Sequence, residues 1–125
     1  MYQSLKVFQT SNDMARHAGT RQALTAQNIA NADTPGYVAR QIAPFADIYQ
    51  DQAAPMRATR TGHIDARATG PSARSTPTAA EPAPNGNAVS LEEEMFNAVE
   101  VAREHSRALT IYRHAMTVLR ISLGR

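Results

Sequence analysis

Three features of this sequence predict an all-α fold in which the N- and C-terminal helices pair as a coiled-coil-like domain around a long Pro/Ala-rich middle loop. Residues 90–123 carry apolar side chains at alternating spacings of four and three, and residues 4–32 carry a weaker version of the same period. Between them the chain is almost stripped of apolar bulk. Of 53 apolar residues 23 are alanine, and the 30 larger ones fall 14 in residues 1–49, two in residues 50–88 and 14 in residues 89–125. One domain built from residues 1–50 and 89–125, joined by a low-complexity linker over 51–88, follows from that distribution.

The N-terminal helix has Phe8, Ala15, Ala18, Gln22, Thr25, Ile29 and Ala32 in approximate heptad register, with Leu5, Met14 and Leu24 on its flanks. Small seam residues admit a close neighbour but bury little each, so this helix alone should fray. It ends at Asn31-Ala32-Asp33-Thr34-Pro35-Gly36-Tyr37. Pro35 pushes Thr34 out of the helical region, and Pro35-Gly36 suits the two central positions of a type II turn. Phe45-Ala46-Asp47-Ile48-Tyr49 is the last apolar cluster before the linker, and packing against the helices accounts for it.

Within the linker the large apolar residues are Met56 and Ile64, and Pro55, Pro71, Pro77, Pro82 and Pro84 forbid regular helix. Asn85-Gly86 has turn chemistry but no alternating strands beside it, which reads as a plain loop. The C-terminal helix is the best-marked element. Its seam is Leu91, Met95, Ala98, Ala102, His105, Leu109, Tyr112, Met116, Leu119 and Leu123; Ser90 and Glu93 form a capping box, and Gly124 supplies the stop. Glu92, Glu93, Glu94, Glu100 and Glu104 crowd its first half and Arg107, Arg113, Arg120 and Arg125 its second, each sign complementing the helix dipole. A rod of about 50 Å cannot cover its own seam, so it requires a partner helix from this chain or from a neighbour.

The chemistry that is missing narrows the function. At 125 residues and 13.6 kDa the chain is one domain. A net charge of +2 is far from a concentrated basic surface, and Glu100 and Glu104 each stand three residues before Arg103 and Arg107, so these read as a solvated face and no nucleic-acid partner is expected. No cysteine is present to make disulfides, thiolate ligands or a nucleophile. His105 and His114 fall on opposite helix faces and cannot share a metal; His105 reads as a polar interruption of the seam, and His17 and His63 as solvated or loop residues. Three acids in a first helical turn are what the dipole favours, so no catalytic, cofactor or metal site is expected. No segment reaches the roughly 20 apolar residues of a membrane span, and the N-terminus has no signal-peptide core, so export would proceed without a cleaved leader.

The segment Gln27-Asn28-Ile29-Ala30-Asn31-Ala32-Asp33-Thr34-Pro35-Gly36-Tyr37 resembles the N-terminal signature of the bacterial flagellar axial proteins, the rod, hook and hook-filament junction family. The form Ala-Asp-Thr-Pro-Gly-Tyr followed by Val38-Ala39-Arg40 is most similar to the proximal rod members, as is Val89-Ser90-Leu91-Glu92-Glu93-Glu94-Met95, which looks like the opening of their terminal helix. The resemblance covers residues 4–50 and 88–123 and leaves the middle unmatched. It implies a structural subunit, not an enzyme, that polymerises through its terminal helices in the periplasmic rod of the basal body. The partners it implies are other proximal rod subunits and further copies of itself, the basal-body protein joining rod to membrane ring, and the flagellar type III export gate. The signature turn would then be Asn28, Asn31, Thr34, Pro35, Gly36 and Tyr37, and Phe45–Tyr49 would also be a candidate gate signal. A cytoplasmic helical binding module, such as a flagellar export chaperone or regulator, would share the capped heptads but has no need of the Asn-rich Pro-Gly signature.

Overall fold

The computed structural model describes residues 2–51 and 74–124. Two long helices dominate: α1 (Tyr2–Ala30) and α3 (Leu91–Ser122), with β1 (Arg40–Ile42), the short helix α2 (Phe45–Asp51) and β2 (Ser75–Pro77) between them. The fold is mostly helical, as expected, but it is not all-α. β1 and β2 form a two-stranded antiparallel sheet with Arg40 opposite Pro77 and Ile42 opposite Ser75, and Val38 bridges Ala88 in parallel. Part of the span expected to be linker therefore pairs in β geometry. Three-residue strands carry too little alternation to be read as strands in advance. Met56, Ile64, Pro55, Pro71 and His63 lie outside the described residues.

α3 starts as its sequence dictates. The Ser90 hydroxyl accepts a bond from the Glu93 amide at 3.4 Å, and Glu92, Glu93 and Glu94 occupy the first turn. Gly124 closes the other end at φ +71°, in the left-handed region that glycine enters without steric cost.

α1 and α3 run antiparallel against each other. The Phe8 and Tyr112 rings meet edge to face at 5.3 Å, and Arg21 pairs with Glu104 at 2.7 Å. Glu104 thus bonds across the helices, where the sequence had suggested a solvated pair with Arg107. On α3 the residues buried by this contact are Glu94, Val101, Ala108 and Ala115. The seam expected from periodicity lies one step around the helix from that row. Ala98, His105, Leu109 and Leu119 are half-buried, whereas Leu91, Met95, Ala102, Tyr112, Met116 and Leu123 are exposed. On α1 the buried row is Ser11, Ala18 and Thr25, with Phe8, Ala15 and Ile29 half-buried and Gln22 exposed. Small residues on both helices explain the shift: alanine, serine and threonine let the backbones approach, and the bulkier α3 side chains splay to the flank.

The second part of the core sits under the β segment. Ala39, Ile42, Phe45 and Ala88 are buried there, and Phe45 packs on the His17 ring with centroids 5.7 Å apart. His17, expected in solvent, is only 4% exposed.

Candidate functional site

The signature segment folds into a junction that locks the end of α1 to the start of α3. Asn28, 1% exposed, is its centre. Its amide nitrogen donates to the Arg40 carbonyl at 2.7 Å, while its amide oxygen accepts from the Arg40 N–H at 3.2 Å and from the Tyr37 hydroxyl at 3.0 Å. A side-chain amide has the same donor and acceptor as a peptide unit, so Asn28 pairs with Arg40 as a neighbouring strand would. That pairing folds residues 37–40 back along α1.

The turn itself has the expected geometry. Tyr37 N–H donates to the Thr34 carbonyl at 3.3 Å across Pro35-Gly36, and Gly36 takes φ +72°, the value a type II turn demands at its third position. Asn31 donates to the Gln27 carbonyl at 2.8 Å and accepts from the Thr34 hydroxyl at 3.2 Å, which occupies polar groups released at the helix end.

The other half of the junction was not identified in the sequence. Asn87, 5% exposed, donates to the carbonyls of Asn31 and Thr34 at 3.0 and 2.7 Å and accepts from the Val89 N–H at 2.9 Å. One side chain thereby caps the outgoing helix and orients the entry to α3. Asn85-Gly86 is more than a plain loop: Gly86 N–H donates to the Ala83 carbonyl at 2.8 Å, the Asn85 carbonyl accepts from Gly36 N–H at 3.1 Å, and the two glycines lie backbone to backbone. A Cβ on Gly86 would stand 3.4 Å from the Gly36 Cα, and Gly86 has φ +78°. The Asn-Gly-Asn run at residues 85–87 was the available signal, legible only once the turn it docks against is in place.

Two buried ionisable groups lie nearby. Burial holds the His17 imidazole below its ordinary value near 6.5, and Arg21 adds to the effect against weaker opposition from Glu104 and the Ala43 backbone. Neither ring nitrogen has a partner in hydrogen-bond geometry. Burial also pushes the Glu94 carboxyl above its ordinary value near 4.5, with Asn28 and Asn97 pulling it back and Glu93 adding to the rise. Glu94 lines an open cleft of about 310 Å³ with Arg21, Thr25, Arg40, Gln41 and Asn97, and its Oε2 has no hydrogen-bond partner.

The linked pH effects have opposite signs. The unfolded chain takes up a proton at His17 below about pH 6.5 before the folded chain does, so stability falls as pH drops through that value. At Glu94 the folded chain holds the proton more tightly, so stability falls as pH rises past about 4.5. Glu94→Gln is therefore expected to raise the Tm at pH 7 and to lose that advantage near pH 4, whereas His17→Leu should flatten the loss between pH 6.5 and 5; thermal melts of concentrated, helical chain across pH 4–8 measure both. A Glu94→Gln variant that melts lower than the parent at pH 7 would contradict the assignment.

Among the described residues no group of His, Asp or Glu is placed to hold a metal ion, and no helix is long and apolar enough to cross a membrane. What the molecule does present is the uncovered side of α3, where Phe96 is 78% and Met95 60% exposed.

Residues 17–37, which span His17, Asn28 and the whole signature turn, match the family model described as "Flagella basal body rod protein". The flagellar basal body rod protein FlgB of Agrobacterium fabrum (strain C58 / ATCC 33970) is 31% identical over 114 residues, covering 82% of this chain and 81% of the relative. The chain belongs to the FlgB family of flagellar basal-body rod proteins, with the structural role and basal-body location that membership carries.

Proposed function

We propose that this chain is a subunit of the proximal rod that polymerises through its terminal helices to build the periplasm-spanning drive shaft for motility. The observation that carries the reading is the uncovered row on α3. α1 covers Glu94, Val101, Ala108 and Ala115, and the adjoining row at the same seven-residue spacing, Met95, Ala102, Leu109, Met116 and Leu123, is left half-buried or exposed along the full helix. A continuous apolar stripe of that length on a small domain is a contact surface for another helix. The two helices then act as a coiled-coil-like pair, and the expected seam residues, from Phe8 and Ile29 on α1 to Leu91 and Leu119 on α3, divide between the intrachain contact and the neighbour. Rod subunits, including further copies of this chain, cover the stripe; the protein joining rod to membrane ring and the type III export gate complete the partners.

The thin core supports the same reading. Among the described residues the buried apolar set is five alanines with Ile42, Phe45 and Val101. Alanine burial contributes little per residue, so ordering should depend on neighbours. Dilute chain is expected to show weak helicity by circular dichroism and to gain helix at polymerising concentration, and tagged chain should copurify with basal bodies. A cooperative, strongly helical melt in the dilute monomer would contradict the first expectation. Recovery only in the cytosol would favour an export chaperone.

A further inference from the structure

The uncovered side of α3 is graded in charge as well as apolar. On one edge of the Met95–Leu123 row stand Glu92, Val99, Ser106, Arg113 and Arg120, acidic at the start of the helix and basic at its end. Glu92 and Arg113 are exposed, and among the described residues neither takes part in an ion pair. The numbering contains a coincidence that the heptad makes structural: Glu92 and Arg113, Met95 and Met116, and Ala102 and Leu123 are each separated by 21 residues. Over three heptads a straight helix drifts by only about 60°, which the left-handed supercoil of a seven-residue repeat takes up, so each pair occupies one position of the stripe.

We infer that a second copy of this chain packs along this stripe, parallel and staggered by three heptads, about 32 Å at 1.5 Å per residue. The inference rests on the rod reading and specifies its register. In that register Met95 of one copy meets Met116 of the next, Ala102 meets Leu123, and Glu92 meets Arg113. An unstaggered parallel contact would set Glu92 against Glu92 and Arg113 against Arg113, which repel. An antiparallel contact also matches the charges, but it uses the same patch on both copies and closes as a dimer. The staggered contact joins two different patches, so each copy offers one unused end and the assembly stays open.

Because the chain lacks cysteine, disulfide trapping reads this register directly. Full-length chain carrying both Met95→Cys and Met116→Cys, oxidised at polymerising concentration, is expected to give a ladder of covalent multimers beyond the dimer, while each single variant stays monomeric. A double variant that stops at a covalent dimer, or single variants that dimerise efficiently, would overturn the stagger. As a second test that involves no oxidation, Glu92→Arg should reduce polymer yield at least tenfold and Arg113→Glu in the same chain should restore it. Failure of restoration, with the doubly changed chain as helical as the parent in dilute solution, likewise overturns the register. Absence of the tagged chain from basal bodies would sink the rod reading and leave the cross-linking pattern of the purified polymer to be judged by itself.

Discussion

Asn28→Ala is expected to lower stability by roughly 2–4 kcal/mol, because it deletes three hydrogen bonds at a buried site and strands the polar groups that made them. The Arg40 N–H and carbonyl and the Tyr37 hydroxyl all lose the same partner at once. With so little apolar burial elsewhere, that loss is a large share of the total. Residues 37–42 should detach from α1, and hydrogen exchange at the Arg40 amide should accelerate by at least a hundredfold. Asn28→Asp separates shape from chemistry. It keeps an acceptor for Tyr37 and the Arg40 N–H but turns a carboxylate oxygen toward the Arg40 carbonyl, so it should be nearly as damaging. If Asn28→Asp exchanges at the parental rate, the amide is not the fastening.

Leu109→Glu is expected to abolish rod assembly and motility while leaving the dilute chain as helical as the dilute parent. Leu109 is half-buried in the row beside the intrachain seam, between the exposed Ala102 and Met116. Leu109 lies between the two ends of α3 that the three-heptad stagger joins, so on the rod reading other rod subunits cover it. Losing that burial forfeits about 2 kcal/mol at each contact, and the carboxylate adds a desolvation cost repeated in every subunit. Swimming in soft agar and sedimentation of purified chain test this, with circular dichroism of both chains in dilute solution confirming that the variant keeps the helicity of the parent. Normal swimming would remove Leu109 and its row from the interface.

Much of this fold is legible in the sequence where local chemistry decides it. Ser90 before an acidic turn marks the start of α3, Gly124 its end, and Pro35-Gly36 the turn after α1; each works through backbone geometry that needs no distant partner. The phase of the α3 seam is different. Periodicity follows the bulky side chains, Leu91, Met95, Leu109 and Met116, but the row that meets α1 is Glu94, Val101, Ala108 and Ala115. Alanine is weakly apolar and Glu94 is charged, so nothing in their composition announces burial. Which row faces inward is settled by how closely α1 can approach, and that depends on Ser11, Ala18 and Thr25, far away in the chain. His17 and Asn87 were obscure for the same reason. A histidine becomes core only because Phe45 folds over it, and an asparagine becomes a clamp only because two carbonyls of another segment come within reach.

The junction also has a consequence for how such a chain can change. Its outgoing and returning strands are stapled side by side: Ala88 N–H donates to the Tyr37 carbonyl at 2.8 Å, Thr78 N–H donates to the Ala39 carbonyl at 2.8 Å, and Gly36 rests on Gly86. The chain thus leaves and rejoins the helical stem through a closed neck. Lengthening a loop whose ends are already fixed costs only about 0.6 kcal/mol per doubling. Such a neck lets the length of the intervening chain change without re-registering the two helices it fastens, so family members can differ in size while the paired helices stay the same.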